Sequence, residues 1–268
     1  MNSHVPIWLY ELSPLQQALV IIAFVEILSV AGLLLARRYV VPRFHYSEGI
    51  NDAVSGTVQA IGVFYGITVG LIAVGVWNTN TNSSDLVSRE ASSIATLFRD
   101  CSGYPSPLRE ELRAGLRDYT VFIINEAWPA QQKGKEVERG RTLMDDFQAK
   151  LYAFSPSTPS QIALHSETLR AYNNLLDYRR LRIEAVNSGL SETMWAVIWM
   201  GAAISIGVAY FYKIGDPKLH IVLVVLMAGF LAVVLFMITI NDKPFYGKVG
   251  ISSDPYKIVL ERLIDVSK

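Results

Sequence analysis

The sequence predicts an all-α integral membrane protein, with four transmembrane helices and a helical extramembrane domain between the second and third. Three observations carry that reading. Of 268 residues, 51% are hydrophobic, and the apolar ones gather into four long runs. A helix needs about 20 such residues to cross the hydrocarbon core, since each residue rises about 1.5 Å. Most of the charged residues fall instead between residues 85 and 185, where the apolar positions recur at helical spacing. Backbone groups cannot stay unpaired in lipid, so four such runs without strand alternation are read as helices.

The first helix pair occupies residues 1–77. Its first span covers about 15–36, after Ser13-Pro14, and stops at Arg37-Arg38. The flank before it holds no Lys or Arg, whereas a signal peptide carries its basic residues first, so a retained anchor is expected. The second span covers about 53–77 and ends at Trp77. Residues 78–192 form the extramembrane domain. Asn78 to Ser84 reads as a solvated exit, followed by a helix to about Cys101 with Leu86, Ile94, Leu97 and Phe98 at helical spacing. Ser106-Pro107 opens a helix that puts Leu108, Leu112, Leu116, Tyr119 and Ile123 on one face. A third helix, about 136–154, aligns Val137, Met144, Phe147, Leu151 and Phe154. Thr158-Pro159-Ser160-Gln161 resembles a capping box and starts a fourth, which runs toward Asn187. The second helix pair fills 193–240, with spans at about 194–212 and 219–240, and residues 241–268 are left as a C-terminal tail. Trp8, Tyr10, Trp195, Trp199 and Tyr210 to Tyr212 sit near span ends, where a ring has one wet side.

Lys and Arg in the short loops set the expected orientation. Arg37, Arg38 and Arg43 lie in loop 37–52, and Lys213 and Lys218 in loop 213–218. Taking these loops as cytoplasmic leaves the termini and the 78–192 domain outside, periplasmic if the membrane is the inner membrane of a Gram-negative cell. Opposing this are Arg179, Arg180 and Arg182, with Lys243, Lys248, Lys257, Arg262 and Lys268 in the tail.

The formal net charge of +0 gives no basic face for nucleic acid. One cysteine, Cys101, excludes an intrachain disulfide and any Cys-based zinc site. His4, His45, His165 and His220 are scattered, and adjacent Asp145 and Asp146 diverge on a helix, so no metal site is expected. No phosphate-binding loop, zincin or nucleophile-elbow pattern occurs, so neither enzymatic activity nor a cofactor is expected. The expected partners are membrane lipids, inorganic ions and further copies of the chain.

Three groups of residues could carry function. Gly62, Gly66 and Gly70 are spaced four apart in the second span, so they share one helix face, which Ser55 and Gln59 extend. Such a face either packs another helix, within or between subunits, or lines a pore where side-chain dipoles meet a partly dehydrated ion. Glu26 lies in the middle of the first span. It either handles protons or ions, or is a protonated carboxyl bonded across a helix interface, for example to Gln59 or Ser29. Arg179, Arg180 and Arg182 precede the third span. They either contact lipid phosphates or anions, or form a solvated flank paired with carboxylates.

Several short motifs, in order, resemble the bestrophin-like family of membrane proteins, long known as a domain of unknown function. They are the glycine-rich second span ending at Trp77, Val87-Ser88-Arg89-Glu90-Ala91, Leu97-Phe98-Arg99, Glu126-Ala127-Trp128-Pro129, Arg179-Arg180-Leu181-Arg182, and Asp242-Lys243-Pro244-Phe245-Tyr246-Gly247 followed by Ile251-Ser252. Ala127 and Asn241 depart from the usual residues. Kinship with bestrophins implies a homo-oligomeric anion channel, although the acidic run of the bestrophin calcium clasp is absent. Two functions are therefore expected: an ion channel lined by the second span, or a non-conducting membrane scaffold or sensor whose helical domain binds a partner.

Overall fold

Every regular element in the computed structural model is helical, among the residues it describes, 6–44 and 48–265. His4, His45 and Lys268 lie outside the described residues. The helices are α1 (Pro14–Leu35), α2 (Ile50–Cys101), α3 (Leu108–Phe122), α4 (Arg139–Tyr152), α5 (Pro159–Val186), α6 (Glu192–Ala209), α7 (Pro217–Asp242) and α8 (Asp254–Val259). A short helical turn, Ile7–Tyr10, precedes them, and wider π turns follow α1 (Ala36–Val40), α3 (Ile123–Ala127) and α8 (Leu260–Ile264). Four helices, α1, α2, α6 and α7, are long and apolar enough to cross a membrane.

The helix that carries the second span runs on past Trp77. Helix α2 continues for 52 residues to Cys101, about 78 Å at 1.5 Å per residue, well beyond a hydrocarbon core of about 30 Å. The polar run from Asn78 to Ser84 leaves the helix intact, because a helix satisfies its own backbone in water as in lipid. The chain divides into two compact units: Met1–Thr79 with Gly189–Asp242, and Asn80–Ser188 with Lys243–Lys268. Of residues 241–268, read from the sequence as a C-terminal tail, Asn241 and Asp242 end α7 and those from Lys243 onward group with the helical unit.

In the membrane-spanning unit, α1 begins with a complete capping box: the Ser13 hydroxyl accepts from Gln16 N–H, and Ser13 N–H donates to Gln16 Oε1 (3.0 Å). Thr158 caps α5 as its sequence suggested, but Gln161 reaches Ser157 N–H instead of the cap residue's own. Tyrosines tie the spans together. Tyr65 donates to the Ile198 carbonyl at 3.0 Å, and Tyr210 donates to the Ser29 carbonyl at 2.9 Å.

In the helical unit the expected apolar faces form one core. Leu112, Leu116 and Tyr119 of α3 and Ile123 of the π turn after it join Met144, Phe147 and Leu151 of α4, Ile94, Leu97 and Phe98 of α2, and Tyr172 and Leu175 of α5. At its centre is an ion pair. Glu90 and Arg182 are 0% and 2% exposed. Arg182 Nε donates to Glu90 Oε2 (2.5 Å) and Nη2 to Oε1 (3.1 Å), while Nη1 donates to Gln131 (2.9 Å). Tyr119 donates to Glu90 Oε1 (2.8 Å) and Tyr256 to Oε2 (3.0 Å). Each Glu90 oxygen thus accepts two hydrogen bonds, and the guanidinium also lies 5.9 Å over the Trp128 ring. Burial opposes the charge on Arg182, but the Glu90 carboxyl more than offsets it and holds its pKa well above the ordinary value.

Leaving one partner of a buried pair unpaired costs about 3–5 kcal/mol, whereas replacing both by apolar residues is often close to neutral. Arg182→Met is therefore expected to lower the thermal midpoint sharply and Arg182→Met with Glu90→Leu far less, as read by circular dichroism in detergent. Burial first, then the neighbouring Glu90, push the Tyr119 and Tyr256 hydroxyls well above their ordinary pKa. The unfolded chain releases these protons at about pH 10, while the folded chain keeps them. The folded state then binds more protons, so stability is full below about pH 10 and falls as pH rises past it. Melting curves between about pH 8 and pH 11 should show that loss.

Candidate functional site

The two faces of the membrane-spanning part of α2 differ. One face, Val54, Tyr65, Val69, Ala73 and Val76, is buried against the other spans. Beside it run Gln59, Gly62, Gly66 and Gly70, all exposed. A Cβ placed on Gly62, Gly66 or Gly70 would meet no atom of another element within 4 Å among the described residues. Among the described residues, no other element of the subunit packs on these glycines. Three other glycines show what such packing looks like. Gly201 lies under the Tyr65 ring, Gly32 is 2.6 Å from the Tyr210 hydroxyl at its would-be Cβ, and Gly229 is 3.1 Å from Glu26 Oε1. Small residues admit neighbours there, as expected for helices packed in lipid. Along the bare stripe they admit nothing from this subunit.

Ser55 departs from the stripe. Its hydroxyl accepts from the Tyr212 hydroxyl at 3.1 Å and the side chain is half-buried. The open stripe thus begins at Gln59.

Glu26 is half-buried against α7 at Gly229. Neither expected partner engages it. Ser29 donates its hydroxyl to the Val25 carbonyl at 2.6 Å, and Gln59 is exposed on α2. The serine finds its own helix backbone four residues back, which removes it as a donor.

The arginine run separates into three environments. Arg182 is not a surface contact: it is sealed in the core by Glu90 and Gln131, which corrects the expectation of a phosphate or anion contact for this residue. On a helix, residues two apart point in nearly opposite directions, so a core arginine and a solvent-facing one sit in a single motif. Arg179 is half-buried, with Nη2 3.5 Å from the would-be Cβ of Gly140 on α4. Arg180 is exposed and 3.7 Å from Asp177, a separation at which a surface pair is worth little.

Sequence reasoning missed a polar groove between α2 and α5. Two adjoining hollows of about 350 and 330 Å³ share Ser93, Thr96 and Tyr178. Asp85 and Arg89 line one, and Asp100, Glu167 and Arg170 the other. Burial, then Glu167 close by, raise the pKa of Asp100. The available signal was the i, i+4, i+8 spacing of Ser88, Ser92 and Thr96, which puts hydroxyl side chains in a row. The groove carries both signs of charge, so it favours neither anions nor cations by itself.

The motifs noted in the sequence meet around the ion pair. Glu90, Trp128, Arg182 and Phe245 come from four of them. Trp128 Nε1 donates to the Ile251 carbonyl (3.1 Å), and its ring meets Phe245 and Tyr256 edge-on at 5.7 and 5.5 Å. Residues 23–256 match the model of the bestrophin-like domain. The chain belongs to the bestrophin-like family. Solved structures agree on the fold. A point variant of a bacterial bestrophin homolog from Klebsiella pneumoniae is 10% identical, with a TM-score of 0.67 over 94% of this chain and 99% of that one. A second variant of that homolog is 9% identical, with a TM-score of 0.66 over 92% and 99%. A structure described as a membrane protein is 10% identical, with a TM-score of 0.66 over 92% and 97%. No curated protein matches the sequence. This member of the bestrophin-like family is thus a multi-pass membrane protein by its fold and its four apolar helices.

The covered and bare glycines respond differently to a methyl group. Gly201→Ala is expected to cost about 1–3 kcal/mol by forcing the Tyr65 ring aside. Gly66→Ala should leave the subunit as stable or slightly more so, since Ala exceeds Gly in helix propensity by up to about 1 kcal/mol. Thermal unfolding of both variants in detergent checks the contrast.

Proposed function

We propose that the chain forms a homo-oligomeric ion channel whose pore is lined by α2 along Gln59, Gly62, Gly66 and Gly70. The observation that carries this reading is the bare glycine stripe. It runs beside a buried face, inside a span, and no other element among the described residues covers it. A helix with one face packed and another lined by small residues suits a position beside an axis shared by identical subunits. Glycines leave room for an ion with part of its water, and Gln59 offers a dipole. Membership in the bestrophin-like family supports the channel class. Arg180, the exposed member of its run, is the group assigned to bias permeation toward anions.

The test is electrical. Purified full-length protein in planar bilayers is expected to carry current, and Gly66→Leu to lower or abolish it by filling the stripe. Arg180→Glu should lower the anion-to-cation permeability ratio. Silence of the native protein across ions, voltages and pH, with assembly intact, would leave a membrane scaffold in place of a channel.

A further inference from the structure

At the end of the membrane-spanning unit where α1 and α6 finish and α7 begins, the chain forms a half-open cavity of about 380 Å³. Arg37, Lys213, His220, Tyr210 and Tyr212 are among its lining residues. Arg37 sits on the wide π turn after α1, and its Nη1 is cut off from solvent without an acceptor among the described residues. A guanidinium nitrogen that has lost water and gained no protein oxygen is a donor waiting for one. The tyrosine hydroxyls donate to the Ser29 carbonyl and the Ser55 hydroxyl, and neither accepts from Arg37 Nη1.

The rest of the cavity is fixed in place. Asn51 clips the Lys213 backbone from both sides, accepting from its N–H at 2.8 Å and donating to its carbonyl at 3.2 Å. His220 is buried, and its Nε2 donates to the Ala209 carbonyl at 3.1 Å. No carboxylate lines the cavity, and Asp216 nearby in the loop accepts from the Lys218 backbone N–H at 2.8 Å. Two permanent cations with an orphaned donor and no acid call for an anion with several acceptor oxygens. The flanking rings, Phe44 and Phe211 in edge contact at 5.8 Å, are of the kind found where hydrocarbon gives way to headgroups.

We propose that this cavity binds a phosphate group through Arg37 and Lys213, supplied by the headgroup of an anionic phospholipid. Arginine forks match phosphate oxygens in pairs, and lysine adds a point charge. Basic pockets between spans are a general means of holding acidic headgroups.

The experiment titrates full-length protein in neutral detergent with dioleoylphosphatidylglycerol, dioleoylphosphatidylcholine or inorganic phosphate, and counts adducts by native mass spectrometry. Retention of phosphatidylglycerol over phosphatidylcholine is expected, weakened about tenfold by Arg37→Gln or Lys213→Gln. Arg37→Lys, which keeps the charge, should recover part of it. Arg38→Gln, at an exposed guanidinium 5.3 Å over the Tyr39 ring, should change little. Inorganic phosphate bound with the same dependence on Arg37 and Lys213 would support the site with a soluble source. Equal retention of both lipids, binding of neither anion, or an equal loss in Arg38→Gln would overturn it. Lys213 is exposed in a loop, so its variant tests the site even if Arg37→Gln fails to fold. The readout is binding, so it stands or falls separately from ion conduction.

Discussion

A buried carboxyl–guanidinium pair organises the helical unit. Glu90 arrives on α2, Arg182 on α5, Tyr119 on α3, and Tyr256 from the last helix of the chain. Neither ion can be left in an apolar core alone, so each element must arrive in register for the pair to be satisfied. Apolar faces can slide past one another at modest cost, but a carboxyl needing four donors cannot. That requirement explains why the C-terminal segment joins this unit: Tyr256 supplies a donor, and Phe245 and Ile251 hold Trp128 beside the guanidinium.

The membrane-spanning unit uses a different device. With lipid outside and apolar side chains inside, burial gives little preference for one packing over another. Close approach at glycine does, together with hydroxyls that find carbonyls across helices. Tyr65 over Gly201 and Tyr210 over Gly32 each combine both. The same residue type therefore has two meanings here. Glycines under a ring close the subunit, while those at 62, 66 and 70 leave an open strip.

The two basic features of the chain have also exchanged roles. The arginine run that looks outward in the sequence spends Arg182 on the core and lays Arg179 against α4. Arg37, which reads as a plain stop signal after the first span, lines a cavity and has a guanidinium nitrogen with no acceptor among the described residues. Charge counted along the chain records how many cations there are, not which of them find a partner.

From the sequence alone the class, the spans and the apolar faces followed, because lipid tolerates only long uncharged helices and because helical periodicity marks which side is buried. Leu112, Leu116, Tyr119 and Ile123 show this, being spaced for one face and fully buried on it. Partnerships across the chain did not follow. Glu90 and Arg182 are 92 positions apart, and no local pattern links a carboxyl to a guanidinium at that separation. The stripe of Gly62, Gly66 and Gly70 was legible as a stripe, but its exposure depends on where α1, α6 and α7 pack. Only the tertiary structure decided that, because a residue's neighbours in space come from other elements.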